Sequence, residues 1–101
     1  MEKIITDLTI FDGYKDRQVV LNFYEDEDVL FQRDGFHFHS LEFLSESEQL
    51  LFTKMDGSCC TITIKNYSNR YIDSQFPNYF VLRNGSERMD IYFPAYHQIK
   101  T

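Results

Sequence analysis

The stretch that decides the fold runs Leu51-Phe52-Thr53-Lys54-Met55-Asp56-Gly57-Ser58-Cys59-Cys60-Thr61-Ile62-Thr63-Ile64. Its last five residues alternate between apolar and polar side chains, as in a β-strand with one buried face. Asp-Gly between two such runs predicts a hairpin, because glycine tolerates the positive φ of a two-residue loop. With Asp56-Gly57 as the loop, the facing pairs are Met55–Ser58, Thr53–Cys60 and Leu51–Ile62. The predicted core stripe is Cys60, Ile62 and Ile64.

The same turn signal recurs at Asp34-Gly35 and at Asn84-Gly85. A hairpin at Asp34-Gly35 places Phe31 opposite Phe38, which makes an aromatic cross-strand pair. The other pairs in that register are Arg33–Phe36, His37–Gln32 and His39–Leu30. For a loop at Asn84-Gly85, the predicted pairs are Leu82–Glu87, Phe80–Met89 and Asn78–Ile91, with Met89, Ile91 and Phe93 as the core stripe.

Other strands are predicted from β-branched and aromatic runs that end at turn-forming residues. One covers Ile4–Phe11, with Ile4, Leu8 and Ile10 on one face, and a second covers Gln18–Tyr24, with Val19, Leu21 and Phe23 on the core face. Residues 41–52 fit either a helix capped at Ser45 or Ser47 or two strands joined by Ser45–Glu48, and the flanking hairpins favour the strands. Residues 66–78 are predicted to form a long connection, with room for a short helical turn.

The composition predicts one globular domain over residues 1–101. Apolar residues make up 43% of the chain, and ten Phe and seven Tyr supply a core. We expect an all-β fold: a single antiparallel β-sandwich or small barrel of seven or eight short strands, rich in hairpins, with at most one short helix. No apolar run is long enough for a membrane span, and the N-terminus does not resemble a signal peptide.

The two cysteines, Cys59 and Cys60, are adjacent. Neighbouring residues on a strand point to opposite faces, so the pair is interpreted as two free thiols in a reducing compartment, and a vicinal redox pair is the lesser alternative. The expected location is cytoplasmic.

The sequence does not favour an enzyme. His37 and His39 share a strand face and could bind one metal ion, but the spacing of Gly35 and Glu42 fits the cupin pattern only loosely. The predicted hairpin register brings no third ligand to the two histidines. A triad of Cys59 or Cys60 with His97 and Asp90 has no supporting spacing. We therefore expect no catalytic residues, no metal and no cofactor.

Charge is divided unequally along the chain. Residues 1–50 hold twelve acidic and four basic residues, for −8, whereas residues 51–101 carry +2. Such carboxylates could replace nucleic-acid phosphates in the basic groove of a partner protein. The acidic run Glu25–Asp28 also fits a solvated loop. It lacks the calcium-binding pattern of an EF-hand. The predicted partner-binding residues are Glu25, Asp26, Glu27, Asp28, Asp34, Glu42, Glu46 and Glu48.

A second surface is predicted on the outward face of the last hairpin, where alternation aligns Tyr79, Arg83, Arg88 and Tyr92. Arginines interleaved with tyrosines can bind phosphates and stack on bases. The net charge of −6 opposes direct nucleic-acid binding, so this function is the less favoured alternative. A homodimer through the tyrosine-rich face is a third option.

In length, in the acidic first half, in the Glu25–Asp28 run and in its tyrosines, the chain resembles the small acidic inhibitors of phages and mobile elements, among them anti-CRISPR proteins. It is similar on the same grounds to bacterial immunity proteins that neutralise basic nuclease toxins. The resemblance implies a non-enzymatic inhibitor that occupies the basic groove of an RNA-guided nuclease or of a nuclease toxin.

Overall fold

A computed structural model of the chain describes residues 2–5, 7–26, 29–73 and 78–94. These residues form one eight-stranded antiparallel sheet and one short 3-10 helix over Leu8–Gly13. The strands are β1 (Glu2–Ile4), β2 (Lys15–Tyr24), β3 (Leu30–Leu44), β4 (Gln49–Lys54), β5 (Cys59–Thr63), β6 (Asn69–Asp73), β7 (Tyr79–Asn84) and β8 (Glu87–Tyr92). The predicted all-β class and strand number are confirmed. Within the described residues, no helix is long and apolar enough to cross a membrane.

Two meanders build the sheet. Strands β2 to β5 pair in chain order, β6 to β8 pair in chain order, and β8 joins the meanders by pairing with β2. β1 adds to the outer edge of β6. The sheet is continuous, and the distinction between a sandwich and a barrel therefore depends on how strongly it curls.

The connection between β5 and β6 requires a strong curl. Six strand spacings of about 4.8 Å separate the two strands within the sheet, so a flat sheet would place them roughly 29 Å apart. Residues 64–68 link them and can span only about 21 Å even when extended. The sheet therefore wraps around its core like an incomplete barrel.

The concave face of the sheet holds an aromatic core. Phe38 packs edge-on against Phe52 and Phe93, with ring centroids 5.3 Å and 5.9 Å away. The predicted stripe Met89-Ile91-Phe93 is completely buried. In the stripe of β5, Ile64 is buried, while Cys60 and Ile62 pack half-buried against the core.

The predicted strand over Ile4–Phe11 is wrong. Its residues contribute the end of β1 and most of the 3-10 helix, which Asp7 caps by accepting a hydrogen bond from the Thr9 amide at 3.0 Å. The helix has three residues per turn, so Leu8 and Phe11 lie on one side, and Phe11 is completely buried. Ile4 and Ile10, expected in the core, are 71% and 39% exposed.

The predicted hairpin at Asp34-Gly35 is also wrong. Both residues lie inside β3, where Gly35 pairs with Val20 and has no positive φ. The chain reverses earlier, between Tyr24 and Leu30, and Asp26 adopts a φ of 49° there. Pairing along the whole of β2 outweighs the local turn preference of one Asp-Gly dipeptide. Phe38 is consequently buried while Phe31 is 57% exposed, and the predicted Phe31–Phe38 pair does not form.

The turn at Asp56-Gly57 is confirmed in position but not in register. Its loop has three residues, because the Lys54 amide donates to the Ser58 carbonyl at 2.8 Å and Gly57 adopts a φ of 91°. Cys60 therefore faces Phe52 instead of Thr53. This one-residue correction places the buried Leu50 and Phe52 on the core face together with the β5 stripe.

The turn between β7 and β8 lies one residue later than predicted, at Gly85-Ser86, with Gly85 at a φ of 61°. Leu82 consequently faces Met89, and Phe80 faces Ile91, which replaces the predicted Leu82–Glu87 and Phe80–Met89 pairs. The register shifts by two residues, so every side chain keeps its predicted face.

Residues 41–52 form two strands joined by a turn over residues 45–48, as favoured. The predicted connection over residues 66–78 is wrong in part, because it contains β6, whose Ile72 packs against the core. Residues 74–77, including Pro77, lie outside the described residues.

Candidate partner-binding surfaces

The outer face of the sheet carries three parallel rows of side chains across β7, β8 and β2. The middle row is buried, with Val81, Asp90 and Asn22 only 2%, 0% and 8% exposed. Rows of larger side chains flank it, and these comprise Arg83, Arg88 and Tyr24 on one side and Tyr79, Tyr92 and Val20 on the other. We call these nine residues the tyrosine–arginine face.

Asp90 organises this face. Arg88 donates two hydrogen bonds to its carboxylate, from Nε to Oδ1 at 2.8 Å and from Nη2 to Oδ2 at 2.9 Å, and the Tyr79 hydroxyl also donates to Oδ2. Burial and the bond to Asp90 raise the pKa of the Tyr79 phenol well above its usual value. The same carboxylate raises the pKa of Arg88. Tyr79 is therefore neutral and Arg88 is charged throughout the physiological range.

Aromatic rings support the arginines. The guanidinium carbon of Arg88 lies 4.8 Å from the centre of the Tyr24 ring, and that of Arg83 lies 5.9 Å from the Tyr71 ring. The rings of Tyr79 and Tyr92 lie 5.4 Å apart. These contacts hold long side chains in fixed positions, as a preorganised binding surface requires.

Tyr79, Arg83, Arg88 and Tyr92 thus share one outward face, with Arg83 directly opposite Arg88 and Tyr79 directly opposite Tyr92. Alternation along β8 puts Asp90 on the same outward face as Arg88 and Tyr92, but it predicts neither the burial of Asp90 nor its role. The only signal for that role is the position of Asp90, two residues from Arg88 on the same strand face.

The predicted acidic residues divide between the two ends of β3. Glu25 and Asp26 are exposed in the turn before β3, and Asp34 is exposed on its first half, where it accepts a hydrogen bond from Gln32 Nε2 at 2.8 Å. Glu27 and Asp28 lie outside the described residues. We call the described residues at this end of β3 the first acidic group: Glu25, Asp26 and Asp34.

Glu42 and Glu46 are exposed at the other end of β3, and Glu48 follows at the end of the turn. We call these three residues the second acidic group. Eight residues of strand separate Asp34 from Glu42, or roughly 26 Å at about 3.3 Å per residue, so the two groups do not form one patch. Glu48 already forms an ion pair within the chain, since Arg70 Nη2 donates to its Oε1 at 2.7 Å.

Two acids that sequence reasoning missed lie beside this second group. Asp12 accepts a hydrogen bond from the Phe43 amide at 2.8 Å, and Asp16 lies 3.0 Å from His39 Nδ1. Neither pairing is visible in the sequence, because the 3-10 helix and the observed course of β3, neither of which the sequence predicts, decide both.

The histidines and cysteines were the candidate reactive residues, and the structure describes all of them except His97. His39 contacts Asp16, and His37 pairs with Gln18 across β2, which corrects their predicted positions opposite Leu30 and Gln32. Over the described ranges, no three His, Cys, Asp or Glu side chains are grouped as metal ligands would be. Cys59 and Cys60 are free thiols, and burial raises the pKa of Cys60. His97 of the proposed triad lies outside the described residues.

Comparison of the chain with protein-family models, curated proteins and solved structures finds no match in any of the three.

Proposed function

We propose that the protein is a non-enzymatic inhibitor that binds a basic, nucleic-acid-binding protein through the acidic residues along β3. The observation that carries the proposal is the absence of internal neutralisation. Among the predicted acidic residues that the structure describes, only Glu48 forms an ion pair within the chain. Glu25, Asp26, Asp34, Glu42 and Glu46 are exposed, and their charges are therefore accessible to a partner.

Two of these charges, Asp34 and Glu42, lie on β3 itself, and their rigid support favours binding over simple solubility. β3 is held by β2 along its first half and by β4 along its second half. Carboxylates at fixed positions lose little conformational entropy when they meet arginine and lysine side chains. The division into two groups fits an elongated groove better than a small basic pocket.

The partner class follows from this chemistry. An RNA-guided nuclease of a CRISPR system has a basic groove for its nucleic acid, and so has a nuclease toxin. The first makes the protein an inhibitor of the anti-CRISPR type, and the second makes it an immunity protein. Either partner acts in the cytoplasm, which agrees with the free thiols.

Charge reversal tests the proposal. Glu25→Lys combined with Asp26→Lys should weaken binding to a guide-loaded CRISPR nuclease, or to a basic nuclease toxin, by roughly tenfold or more at low salt. Thr61→Lys with Thr63→Lys is the control, because it adds positive charge at exposed positions of β5, two strands away from β3. Binding of the wild type should also weaken steeply as salt is added. Equal losses in both double variants would contradict the proposal.

The tyrosine–arginine face supports a second candidate function, binding of single-stranded nucleic acid. Arg83 and Arg88 face each other across the hairpin and share this face with Tyr24, Tyr79 and Tyr92, so guanidinium groups and aromatic rings lie together, as in surfaces that bind single strands. The ion pair with Asp90 offsets the charge of Arg88, which weakens this candidate. A gel-shift titration with RNA and DNA decides it, since a shift lost in Arg83→Gln but retained in Glu25→Gln would favour this face.

A further inference from the structure

The first half of β3 is an open strand edge. Residues 30–37 pair with β2 on one side, whereas β4 pairs with β3 only from Phe38 onward. No backbone hydrogen bond from another described segment reaches the other side of residues 30–37. Alternate N–H and C=O groups along this edge are therefore available to a further strand.

Apolar side chains accompany the open edge. Val29, Leu30 and Phe31 are 51%, 41% and 57% exposed at its beginning. A groove of about 450 Å³ lies beside its second part, between Asp34-Gly35-Phe36 on one side and Lys54 and Cys60 on the other. An added strand would continue the line of β4 into this groove, beyond the β4–β5 turn.

The other edges of the sheet are less suited to an added strand. β1 has three residues, and the outer edge of β5 has five, of which Cys59, Thr61 and Thr63 are the exposed ones. The β3 edge is longer, and large apolar side chains flank it. Natural proteins normally cover such an edge or protect it with charges, and here Arg33 and Asp34 charge its middle while the apolar residues on either side remain available to a partner.

We infer that an extended segment of a basic partner protein adds to the open edge of β3 as a ninth strand. The inference rests on the proposed function, from which it takes the basic character of the partner. Charge complementarity supports this occupant, because the carboxylates at the edge (Glu25, Asp26 and Asp34) outnumber the two cations beside it, Arg33 and Lys54. A second copy of this chain is disfavoured, because each copy carries a net charge of −6.

In this mode of binding, the backbone and the side chains of the partner segment make different contributions. Backbone hydrogen bonds to β3 would supply affinity without regard to sequence, and alternate apolar residues of the segment would pack against Leu30, Phe36 and the groove. Basic residues between them would meet the first acidic group. The segment expected to bind is therefore an alternation of β-branched and basic residues.

The probe is a ten-residue peptide of alternating valine and lysine, titrated into the full chain while amide hydrogen exchange is followed by NMR. We expect saturable binding and at least about tenfold slower exchange at alternate amides within residues 30–37. Phe31→Ser should weaken binding severalfold, whereas Ile4→Ser, at a side chain 71% exposed on β1, should not. A peptide N-methylated at every residue should not bind, because neither of its edges can donate hydrogen bonds to β3.

Each other result overturns a distinct part of the inference. Equal binding of the N-methylated peptide, or slowed exchange in β5 instead of β3, would rule out strand addition and leave the acidic surface standing. Equal binding of a valine–glutamate peptide at β3 would rule out a basic partner, and with it the charge argument of the proposed function. Concentration-dependent dimerisation that protects residues 30–37, detected by light scattering without peptide, would assign the edge to a second copy.

Discussion

At the scale of single residues, Asp90 shows how a polar side chain is accommodated on the outer face. An ionised carboxylate without partners would be costly at a completely buried site, but Arg88 and Tyr79 provide three hydrogen bonds. The flanking tyrosines exclude water, and the network fixes the positions of both donors. The tyrosine–arginine face is therefore ordered before any partner arrives.

Tyr79→Phe tests this network. Removing the hydroxyl should lower the free energy of unfolding by about 1–2 kcal/mol at pH 7, because Asp90 loses one donor. The pKa of Tyr79 is raised in the folded state, so its contribution is complete below pH 10, the ordinary tyrosine pKa, and is lost as the pH rises further. Between pH 9.5 and 11 the variant should therefore lose stability less steeply than the wild type does.

Urea unfolding across that pH range provides the measurement, with Tyr92→Phe as the control. The hydroxyl of Tyr92 has no hydrogen-bond partner among the described side chains, so this control should follow the wild-type slope. Identical slopes in Tyr79→Phe and wild type would contradict the assigned bond. Raised pKa values at Tyr14 and Tyr67 are common to all three proteins and cancel in the comparison.

At the scale of elements, Gly35 and Gly85 have different roles, although each follows a turn-forming Asp or Asn. Gly85 has a φ of 61° in a hairpin turn, while Gly35 lies in an extended strand and lacks a positive φ. A Cβ at position 35 would lie 3.8 Å from the Val19 carbonyl oxygen, which is ordinary contact. Gly85→Ala should therefore destabilise the protein by about 1–2 kcal/mol, whereas Gly35→Ala should be neutral or stabilise it by about 0.5 kcal/mol.

Thermal unfolding of the two variants distinguishes the observed β3 from the hairpin that the sequence predicts. Gly13→Ala serves as a further control, since position 13 has open space and no positive φ. If Gly35→Ala lowered the melting temperature as much as Gly85→Ala, a turn at Asp34-Gly35 would be the better description.

Arg70 fixes the curl of the sheet. It donates from Nε to the Tyr67 carbonyl at 2.9 Å, and from Nη2 to the Ile64 carbonyl at 3.1 Å and to Glu48 at 2.7 Å. One side chain thus connects β6, the short connection and the beginning of β4. Arg70→Met should cost about 2 kcal/mol in urea unfolding, because two carbonyls and a carboxylate lose their donor. Lys65→Met, at an exposed residue of the same connection, should lower the free energy of unfolding only slightly. Equal losses of stability in the two variants would contradict this role of Arg70.

At the scale of the whole molecule, side-chain alternation was a better guide than turn chemistry. Alternation placed Met89, Ile91 and Phe93 in the core and Tyr79 with Tyr92 outside. These assignments are correct because a register shift of two residues leaves each side chain on the same face of the sheet. Asp34-Gly35 misled the prediction because its turn preference is local, whereas the pairing of β2 with β3 is a long-range property. The burial of Asp90 could not be predicted either, since it depends on neighbours from β2 and β7.

The acidic charge of the first half was evident from composition, but its division between the two ends of β3 was not. The misplaced hairpin would have folded residues 25–48 into a compact patch. The uninterrupted course of β3 instead gives the proposed inhibitor a long strand with acidic residues near both ends and an open edge along its first half. Both features describe a surface that would lie along a nucleic-acid groove.

Protection of DNA from cleavage tests this central claim most directly. Guide-loaded CRISPR nucleases and basic nuclease toxins would be mixed with increasing amounts of the protein at low salt before DNA is added. We expect that at least one nuclease is inhibited at close to equimolar protein, and that added salt or the Glu25→Lys, Asp26→Lys double variant restores cleavage. Complete cleavage by every nuclease at a large excess of protein, or inhibition unaffected by salt and charge reversal, would contradict it.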